Sequence, residues 1–229
     1  MDSERSLAIT AASNQANPLA NRRGATREVL LDAALAGFSR DGFAGTSIRD
    51  LARAAGIRES SVYKHFNSKQ AIFDALVERA DQRMAQAASQ LGATMSSAAQ
   101  AADTYRGISE DALADMARGL FDFVVHDPQF AQLRRLMAIE QHRDQAVAER
   151  YRSYFITGPL AFQTELFQAL AASWEFRDDL DPQQTALAFW SPIYLLIDYA
   201  DGGGDLQNAL DLLAGHVHHF RQTHLKEPS

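Results

Sequence analysis

The chain has 229 residues, a formal net charge of −7 and no cysteine. Its length and its 46% share of hydrophobic residues favour a folded protein with a sizeable core and two subdomains over a disordered chain. The lack of cysteine excludes disulfides, thiolate metal sites and a cysteine redox switch.

Two features favour a soluble, cytoplasmic protein. The first five residues, Met-Asp-Ser-Glu-Arg, are mostly polar, and no apolar signal-peptide core follows them. The longest apolar run, residues 186–197, is interrupted by Ser191 and Pro192 and is too short to span a bilayer. We therefore expect the cytoplasm as the location.

Charge is distributed unevenly along the chain. Residues 22–83 carry 11 Lys and Arg against 8 Asp and Glu, whereas residues 84–229 carry 10 against 19. A mildly basic end on an acidic body suits a protein that offers DNA a single face. Solvated helix faces would give similar numbers, so this signal is weak by itself.

The chain begins with a segment that lacks regular periodicity. Residues 1–21 are rich in Ala, Ser and Asn, which predicts a flexible tail. Arg22 and Arg23 at its end could reach a phosphate or the minor groove, or remain solvated. Apolar residues then recur at helical spacing and predict a first helix over residues 25–40. Residues 41–43, Asp-Gly-Phe, end it and return Phe43 to the core.

Two short helical patterns meet at one glycine within residues 46–66. Thr46 and Ser47 can cap the first pattern, with Asp50 placed for a capping box. Gly56 supplies the positive φ that ends a helix in a tight turn. The outward side chains of the second pattern are types that reach base edges and phosphates from the major groove. The pattern favours a helix-turn-helix, although two amphipathic helices of an ordinary bundle remain the alternative.

The flanking residues narrow this choice, because residues 25–77 resemble the DNA-binding domain of the tetracycline-repressor (TetR/AcrR) family of bacterial regulators. The matching motifs are Arg27-Glu-Val-Leu-Leu-Asp-Ala-Ala-Leu-Ala-Gly-Phe38, Asp41-Gly-Phe43, Thr46-Ser-Ile-Arg-Asp-Leu-Ala52, Ala55-Gly-Ile57, Tyr63-Lys-His-Phe66 and Ser68-Lys69. The resemblance implies an all-α protein, with an N-terminal three-helix helix-turn-helix domain and a C-terminal helical domain for ligand binding and dimerisation.

The resemblance also implies roles for individual residues. Thr46 matches the family's phosphate-contacting cap of the second helix, and Lys69 matches a lysine that reaches a phosphate from the start of the fourth. Tyr63 and His65 match positions that hold the DNA backbone. The predicted DNA-binding residues are Thr46, Ser47, Arg58, Glu59, Ser60, Ser61, Tyr63, Lys64, His65 and Lys69.

Two of these positions depart from the family pattern. The family often has a small capping residue where Arg58 stands, and a basic or neutral residue where Glu59 stands. Glu59 could accept a hydrogen bond from a cytosine amino group, or simply favour the helix N-terminus through the dipole. The bases that the chain reads therefore stay open.

The predicted domains are a tail over residues 1–21, the DNA-binding domain over residues 22–67, and a regulatory and dimerisation domain over residues 68–225. A fourth helix opens at Ser68 and is long enough to belong to both domains. The residues after it, 92–107, are rich in Gly, Ser, Thr and Ala and predict a loop.

The sequence after residue 107 predicts only helices, and its prolines indicate where they begin or bend. Pro128 and Pro182 each follow an aspartate, so helices should begin there. Pro159 and Pro192 fall inside apolar helical patterns, where a proline removes a backbone hydrogen bond and kinks the helix. The carbonyls of Phe155 and Ala188 should be freed.

A kinked core helix either bends around the core or opens space for a ligand. We interpret these kinks as the wall of a pocket for an unidentified small-molecule effector. Aromatic residues in such positions are often ordinary core. The predicted pocket residues are Met137, Phe155, Phe162, Phe167, Trp190 and Tyr194.

The last helix carries apolar residues at alternating spacings of four and three, as in a coiled-coil seam. A second stripe runs beside this seam, so the helix needs two neighbours. The preceding helix of the same chain is one of them, and the same pair of helices from a second subunit is the natural other. The resemblance also implies a homodimer through the last two helices. The predicted interface residues are Leu206, Leu210, Leu213, His216, Val217 and Phe220.

Rival sites are weaker. The histidines at 216, 218 and 219 lack a nearby carboxylate or thiolate that would complete a metal site, so we predict no metal and no cofactor. Residues 202–204 are three glycines without a preceding strand or a lysine, which favours a hinge over a phosphate loop. No nucleophile motif occurs, so we expect no enzyme.

The sequence thus predicts a homodimeric transcription regulator, most simply a repressor that is relieved by a small-molecule inducer and binds double-stranded DNA at a palindromic operator. The alternative is a constitutive or architectural DNA-binding protein without an inducer. The effector, the operator sequence and the choice between repressor and activator are not encoded in any motif.

Overall fold

The computed structural model describes residues 18–95, 97–172, 177 and 179–226. Regular structure in these residues is helical, apart from a bridge at Leu225, so the predicted all-α class is confirmed. The chain divides into two compact units, Met1–Ala75 and Leu76–Ser229. The predicted boundary after residue 67 instead falls just before a helix that belongs to both units.

The first unit contains α1 (Pro18–Gly45), α2 (Ile48–Ala54), α3 (Glu59–Val62) and the start of α4 (Lys69–Gln90). Helix α1 begins earlier than predicted, so residues 18–21 are helical and not part of a tail. The remainder of the predicted tail, residues 1–17, lies outside the described residues.

Three phenylalanines form the centre of the first unit. Their rings pack edge to face or tilted, with centroids 5.2 Å apart for Phe38 and Phe43 and 5.3 Å apart for Phe43 and Phe73. Phe43 reaches this core because Gly42 breaks α1 with φ 80° and ψ 160°, values that favour glycine. The large side chains that are almost fully buried around them are Leu30, Leu31, Leu51, Val62 and Ile72.

The second unit continues α4 and adds seven helices in the described residues. They are α5 (Ala98–Tyr105), α6 (Glu110–His126), α7 (Pro128–Glu140), α8 (Gln145–Arg152), α9 (Gly158–Ala171), α10 (Pro182–Asp201) and α11 (Leu206–His224). None of the described helices is long and apolar enough to cross a membrane.

Aspartate caps fix two of these helix starts as predicted. Asp127 Oδ1 accepts from the amide of Phe130 at 2.8 Å, and Asp181 Oδ1 accepts from the amide of Gln184 at 2.8 Å. Proline follows each aspartate as the first helical residue, where its missing N–H costs no hydrogen bond.

The prediction of a loop over residues 92–107 is wrong, because Ala98–Tyr105 forms α5. Its small residues Ala98, Ala101 and Ala102 are buried in one cluster with Leu166 and Leu170 of α9. Alanine leaves room for close helix packing and has the highest helix propensity, so tertiary contacts convert this alanine-rich stretch into a helix.

The apolar helical pattern around Pro159 is interrupted by a π-helical segment, Ser153–Thr157, which lies between α8 and α9. Proline cannot donate to the carbonyl four residues earlier, which is that of Phe155. The indole Nε1 of Trp190 donates to this carbonyl at 3.0 Å instead. The distortion at Pro159 is thus held against α10 by the hydrogen bond from Trp190.

Candidate nucleic-acid interface and ligand cavity

The start of α2 carries the predicted capping box. Ser47 Oγ accepts from the amide of Asp50 at 3.2 Å, and Asp50 Oδ2 accepts from the amide of Ser47 at 3.1 Å. Hydrogen bonds from the Ser47 hydroxyl and amide lower the pKa of the Asp50 carboxyl. The box fixes where α2 begins and, through the short turn at Gly56 (φ 68°), where α3 begins.

Helix α3 and the turns after it present a polar outer face. Val62 and Phe66 are buried, which turns the remaining side chains of residues 58–65 outward. Tyr63 is 51% exposed although it is aromatic. The exposed residues of this face are Arg58, Glu59, Ser60, Tyr63 and Lys64, and the half-buried ones are Ser61 and His65.

Arg23 and Arg27 of α1 lie close to this face. Burial lowers the pKa of His65, and the positive charges of Arg23, Arg27 and Lys64 lower it further. The guanidinium of Arg27 also lies 5.4 Å from the centre of the Phe66 ring. Sequence reasoning did not assign Arg27 to the site, although its spacing of four from Arg23 places both on one helix face.

The predicted phosphate contact of the Thr46 side chain is wrong. Thr46 is 1% exposed, and its hydroxyl lies 3.1 Å from the carbonyl oxygen of Gly37 and 2.9 Å from that of Gly42. A buried hydroxyl that donates to the backbone of α1 cannot reach DNA. The residue that caps α2 is Ser47, one position later.

Lys69 makes hydrogen bonds within the first unit, and its predicted phosphate contact stays a prediction. Its Nζ donates to the carbonyl oxygens of Phe43 at 2.6 Å and Thr46 at 3.0 Å, and it lies 3.4 Å from that of Ala44. The same nitrogen lies 4.6 Å from the centre of the Phe43 ring. The ammonium group therefore faces the connection between α1 and α2.

The second unit contains a partly open cavity of about 1810 Å³. One face of α4 lines it with Val77, Asp81, Met84, Ala85 and Ala88, and residues of α6, α9 and α10 complete much of the wall. Such a volume exceeds the usual range for a drug-sized ligand site.

Five of the six predicted pocket residues line this cavity, namely Phe155, Phe162, Phe167, Trp190 and Tyr194. Met137 does not, because it is 1% exposed and packed in the core, while its neighbours Arg134 and Ala138 on α7 face the cavity. Binding of a ligand by these residues stays a prediction.

Several polar side chains lie among the aromatic residues of the cavity wall. The hydroxyls of Tyr151 and Tyr194 lie 2.6 Å apart, and the hydroxyl of Tyr154 hydrogen-bonds the carboxylate of Asp81. Burial raises the pKa of all three of Tyr151, Tyr154 and Asp81. Gln163 Oε1 is buried and meets no hydrogen-bond partner among the described residues.

Half of the predicted dimer seam on α11 packs inside its own chain, namely Leu213, Val217 and Phe220. Leu213 is 2% exposed and shares a cluster with Phe121 and Val125 of α6 and with residues of α10. Helices α6 and α10 of the same chain therefore both pack against this part of α11. Of the other predicted interface residues, Val217 and Phe220 are buried, Leu206, Leu210 and His216 are half-buried, and His216 Nε2 lies 2.9 Å from the Phe189 carbonyl oxygen.

A different face of α10 and α11 is apolar and exposed. Leu187 and Leu195 of α10 are 47% and 66% exposed, and Leu212 of α11 is 52% exposed. On α10, Ala188 and Ser191 lie between the two leucines and are also exposed, and on α11 Gly215 and His219 continue the line from Leu212. This set, called the α10–α11 outer face below, is separate from the predicted seam.

Comparison with known proteins identifies the first unit. Residues 30–76 match the family described as bacterial regulatory proteins, tetR family. The chain is 40% identical over 53 residues to the HTH-type transcriptional regulator AcrR of Shigella flexneri, which covers 23% of this chain and 25% of AcrR. It is 35% identical over 52 residues to the biofilm operon icaADBC HTH-type negative transcriptional regulator IcaR of Staphylococcus aureus, which covers 23% of this chain and 28% of IcaR.

Solved structures share the fold over most of the chain. A TetR transcriptional regulator from Chloroflexus aurantiacus superposes with a TM-score of 0.59 at 22% identity, covering 90% of this chain and 100% of that protein. The SmeT–triclosan complex superposes with a TM-score of 0.64 at 19% identity, covering 89% and 93%. SmeT is the repressor of the Stenotrophomonas maltophilia multidrug efflux pump SmeDEF.

The sequence matches thus cover the helix-turn-helix of residues 46–66, and the structural matches cover most of the chain. Regulators of this family bind DNA and are not enzymes, in agreement with the predicted absence of catalysis. Residues 30–76 therefore match the domain of the tetR family of bacterial regulatory proteins, while the chain matches AcrR and IcaR over only about a quarter of their lengths and shares the fold of solved regulators over most of its own length.

Proposed function

We propose that the chain is a homodimeric, cytoplasmic repressor that binds a palindromic operator and is released by a small-molecule inducer. The observation that carries this proposal is the outer face of α3, where exposed polar side chains lie beside the cations of α1. The relatives AcrR and IcaR are named as transcription regulators, and IcaR as a negative one.

DNA binding would work in two layers. Arg23, Arg27, Tyr63, Lys64 and His65 are placed around one surface and suit phosphate contacts that set the register of the protein. Residues 58–61 would then meet base edges in the major groove. Ser60 has a short side chain, so it can discriminate bases only at close helix–groove contact.

Operator geometry tests this docking. A two-fold dimer that places one α3 in each of two major grooves requires an inverted repeat with half-sites about 10 base pairs apart or a multiple of that spacing. Inserting five base pairs between the half-sites turns one of them by about half a turn. We expect tight binding to be lost, and a single asymmetric footprint that ignores the insertion would contradict the proposal.

The α10–α11 outer face is the surface that supports a dimer. Leu187 and Leu195 of α10 and Leu212 of α11 are exposed on two helices that pack together, and exposed apolar side chains of this kind suit an interface. We expect Leu195→Glu and Leu212→Glu together to give folded monomers by light scattering and circular dichroism. A folded dimer in this double variant would remove the outer face from the interface.

The cavity supports an inducer. The greater part of its wall is aromatic and aliphatic, with polar and charged side chains among the apolar ones, which suits a small-molecule site, and SmeT is known in complex with triclosan. The inducer would favour a dimer whose two DNA-binding units no longer match adjacent major grooves.

A thermal-shift screen against aromatic compounds, followed by DNA titration, tests the inducer. We expect at least one compound to raise the melting temperature and weaken DNA binding. Phe162→Trp would narrow the cavity and should abolish that compound's effect while leaving DNA affinity unchanged. A constitutive DNA-binding protein would instead bind DNA equally well with every compound.

A further inference from the structure

One side of helix α9 forms a wall of the cavity in the second unit. Phe162, Leu166, Phe167 and Leu170 give this wall an aromatic and aliphatic surface. Among the described residues of α9 that line the cavity, Gln163 alone carries a polar side chain. An amide in the middle of an apolar stripe is costly unless it forms hydrogen bonds, so its surroundings decide what it can do there.

The side-chain oxygen of Gln163 is buried and meets no hydrogen-bond donor among the described residues. A methionine of similar length would fill the same space without the cost of an unpaired acceptor. Packing alone therefore does not account for a glutamine at this position. Because the torsion of the terminal amide is broad, a rotation can turn Oε1 towards the cavity that the side chain already lines.

Most charged side chains of the cavity already have partners in the chain. The pairs are Arg134 with Asp201, Glu110 with His218, Arg221 with the carbonyl oxygen of Ile108, and Asp81 with the hydroxyl of Tyr154. Asp198 also lines the cavity, but it is exposed, and an exposed ion pair contributes little. A charged ligand would have to break one of these pairs or leave its own charge unpaired in a largely apolar site, which favours an uncharged one.

Aromatic rings make up much of the wall on α9 and on α10, which packs against it. The rings of Phe167 and Phe189 lie edge to face with centroids 5.6 Å apart, and both line the cavity. Trp190 lines it too, but its indole N–H already donates to the carbonyl oxygen of Phe155 at 3.0 Å. This part of the wall therefore offers flat apolar surface together with the acceptor of Gln163.

We propose that Gln163 recognises the inducer, and that the inducer is an uncharged aromatic compound that donates a hydrogen bond to Oε1 through an O–H or N–H group. The bond supplies the donor that the buried oxygen lacks, and the aromatic body packs against the rings of α9 and α10. The inference rests on the proposed function insofar as the compound acts as an inducer, whereas its binding can be measured without DNA.

Matched pairs of probes test this hydrogen bond in the full-length protein. In each pair a methyl group replaces the donated hydrogen: para-phenylphenol is compared with its methyl ether, and carbazole with N-methylcarbazole. Equilibrium dialysis gives the dissociation constants. We expect each donor to bind at least about tenfold more tightly than its methylated partner. The charged analogues para-phenylbenzoate and para-phenylbenzylammonium should bind more weakly than the phenol.

Gln163→Met should abolish the preference for donors, because it removes the acceptor and keeps the length of the side chain. Gln168→Met is the matched control, since Gln168 lies on α9, is exposed and is not among the lining residues. The control should keep the tenfold preference. Gln163→Met should also raise the melting temperature of the protein without probe by about 2–4 °C, because a buried unpaired acceptor is lost.

Four results would overturn the inference. They are equal binding of donors and methylated partners to the parent, a preference that survives Gln163→Met, tighter binding of a charged analogue than of the phenol, and a Gln163→Met protein that is unfolded or melts below the parent. In the last case the amide supports the fold and has no need of a ligand.

DNA titration in the presence of each donor separates this inference from the proposed function. If the donors bind as expected but leave DNA affinity unchanged, induction fails and the assignment of Gln163 stands. If neither donor binds, the assignment of Gln163 fails, while the five-base-pair insertion still tests the docking of α3 on the operator.

Discussion

The two units are built on different principles. In the first unit, a continuous core contains Phe38, Leu51 and Val62 at almost zero exposure, and short-range hydrogen bonds such as the Ser47–Asp50 box fix each helix start. In the second unit, separate clusters of buried side chains surround a cavity of about 1810 Å³, and a polar atom of Gln163 is buried without a partner among the described residues.

This difference matches what each unit has to do. A surface that reads DNA must hold several side chains in one geometry, and dense packing without voids provides such rigidity. A unit that admits a ligand needs space and unpaired polar groups, both of which cost stability until they are filled. The first unit should therefore tolerate core changes poorly, and the second should tolerate changes to its cavity wall well.

The largest expected effect is a direct contrast between two phenylalanines. Phe38→Ala should lower the free energy of unfolding of the first unit by about 3–5 kcal/mol, because a fully packed ring is removed. Phe162→Ala should cost the second unit only about 1–2 kcal/mol, because one side of this ring already faces a void. Urea unfolding followed by circular dichroism measures both. Equal losses would mean that the cavity wall is as tightly packed as the DNA-binding unit.

Gly158 is a position of the cavity wall at which the second unit should tolerate a substitution poorly. A Cβ at this position would lie 2.5 Å from the carbonyl oxygen of Ser153, so the π-helical segment would have to shift. We expect Gly158→Ala to cost about 1–3 kcal/mol. Gly24→Ala is the control, since a Cβ there meets no atom within 4 Å, and helix propensity predicts a gain of about 0.5–1 kcal/mol. Thermal unfolding should move in opposite directions for the two variants.

Thr46→Val tests the buried hydroxyl of the first unit. The substitution keeps the shape but removes the donor to the carbonyls of Gly37 and Gly42, which should cost about 1–2 kcal/mol in urea unfolding. Thr46→Ser, which retains the hydroxyl, should lose less. The salt slope of DNA binding should not change in either variant, and a reduced slope in Thr46→Val would reinstate the phosphate contact.

The smallest effect concerns the capping box. Ser47→Ala should cost about 1 kcal/mol at neutral pH through loss of the N-cap. Because the hydrogen bonds from Ser47 hold the pKa of Asp50 below its usual 3.8, their contribution is present above that value and is lost as the pH falls through the lowered pKa. The stability difference between parent and variant should therefore shrink below about pH 4. A difference that stays constant down to pH 2 would contradict this account of Asp50.

Local signals predicted much of the first unit from the sequence alone. The capping box at Ser47, the positive φ of Gly56 and the return of Phe43 to the core each depend on residues close together in the chain. The helix starts at Pro128 and Pro182 and the freed carbonyl of Phe155 were predictable for the same reason.

Errors arose where the outcome depended on distant partners. Spacing on α11 correctly indicated an apolar stripe, but only the position of α6 decides that Leu213 faces its own chain. Similarly, the resemblance assigned Thr46 to a phosphate, whereas its buried hydroxyl lies within hydrogen-bond distance of the backbone carbonyls of Gly37 and Gly42. Periodicity states that a face is apolar, and it does not state which neighbour covers that face.

The hydrogen bond between Trp190 and Phe155 gives the protein an optical consequence. Indole emission shifts with the polarity and hydrogen bonding around the ring, and this indole lies in the cavity wall with its Nε1 3.0 Å from a carbonyl freed by Pro159. The sequence contains two tryptophans, and the other, Trp174, lies outside the described residues. In a Trp174→Phe background, the fluorescence of a single residue would therefore report the arrival of a molecule in the cavity, without a label and without DNA.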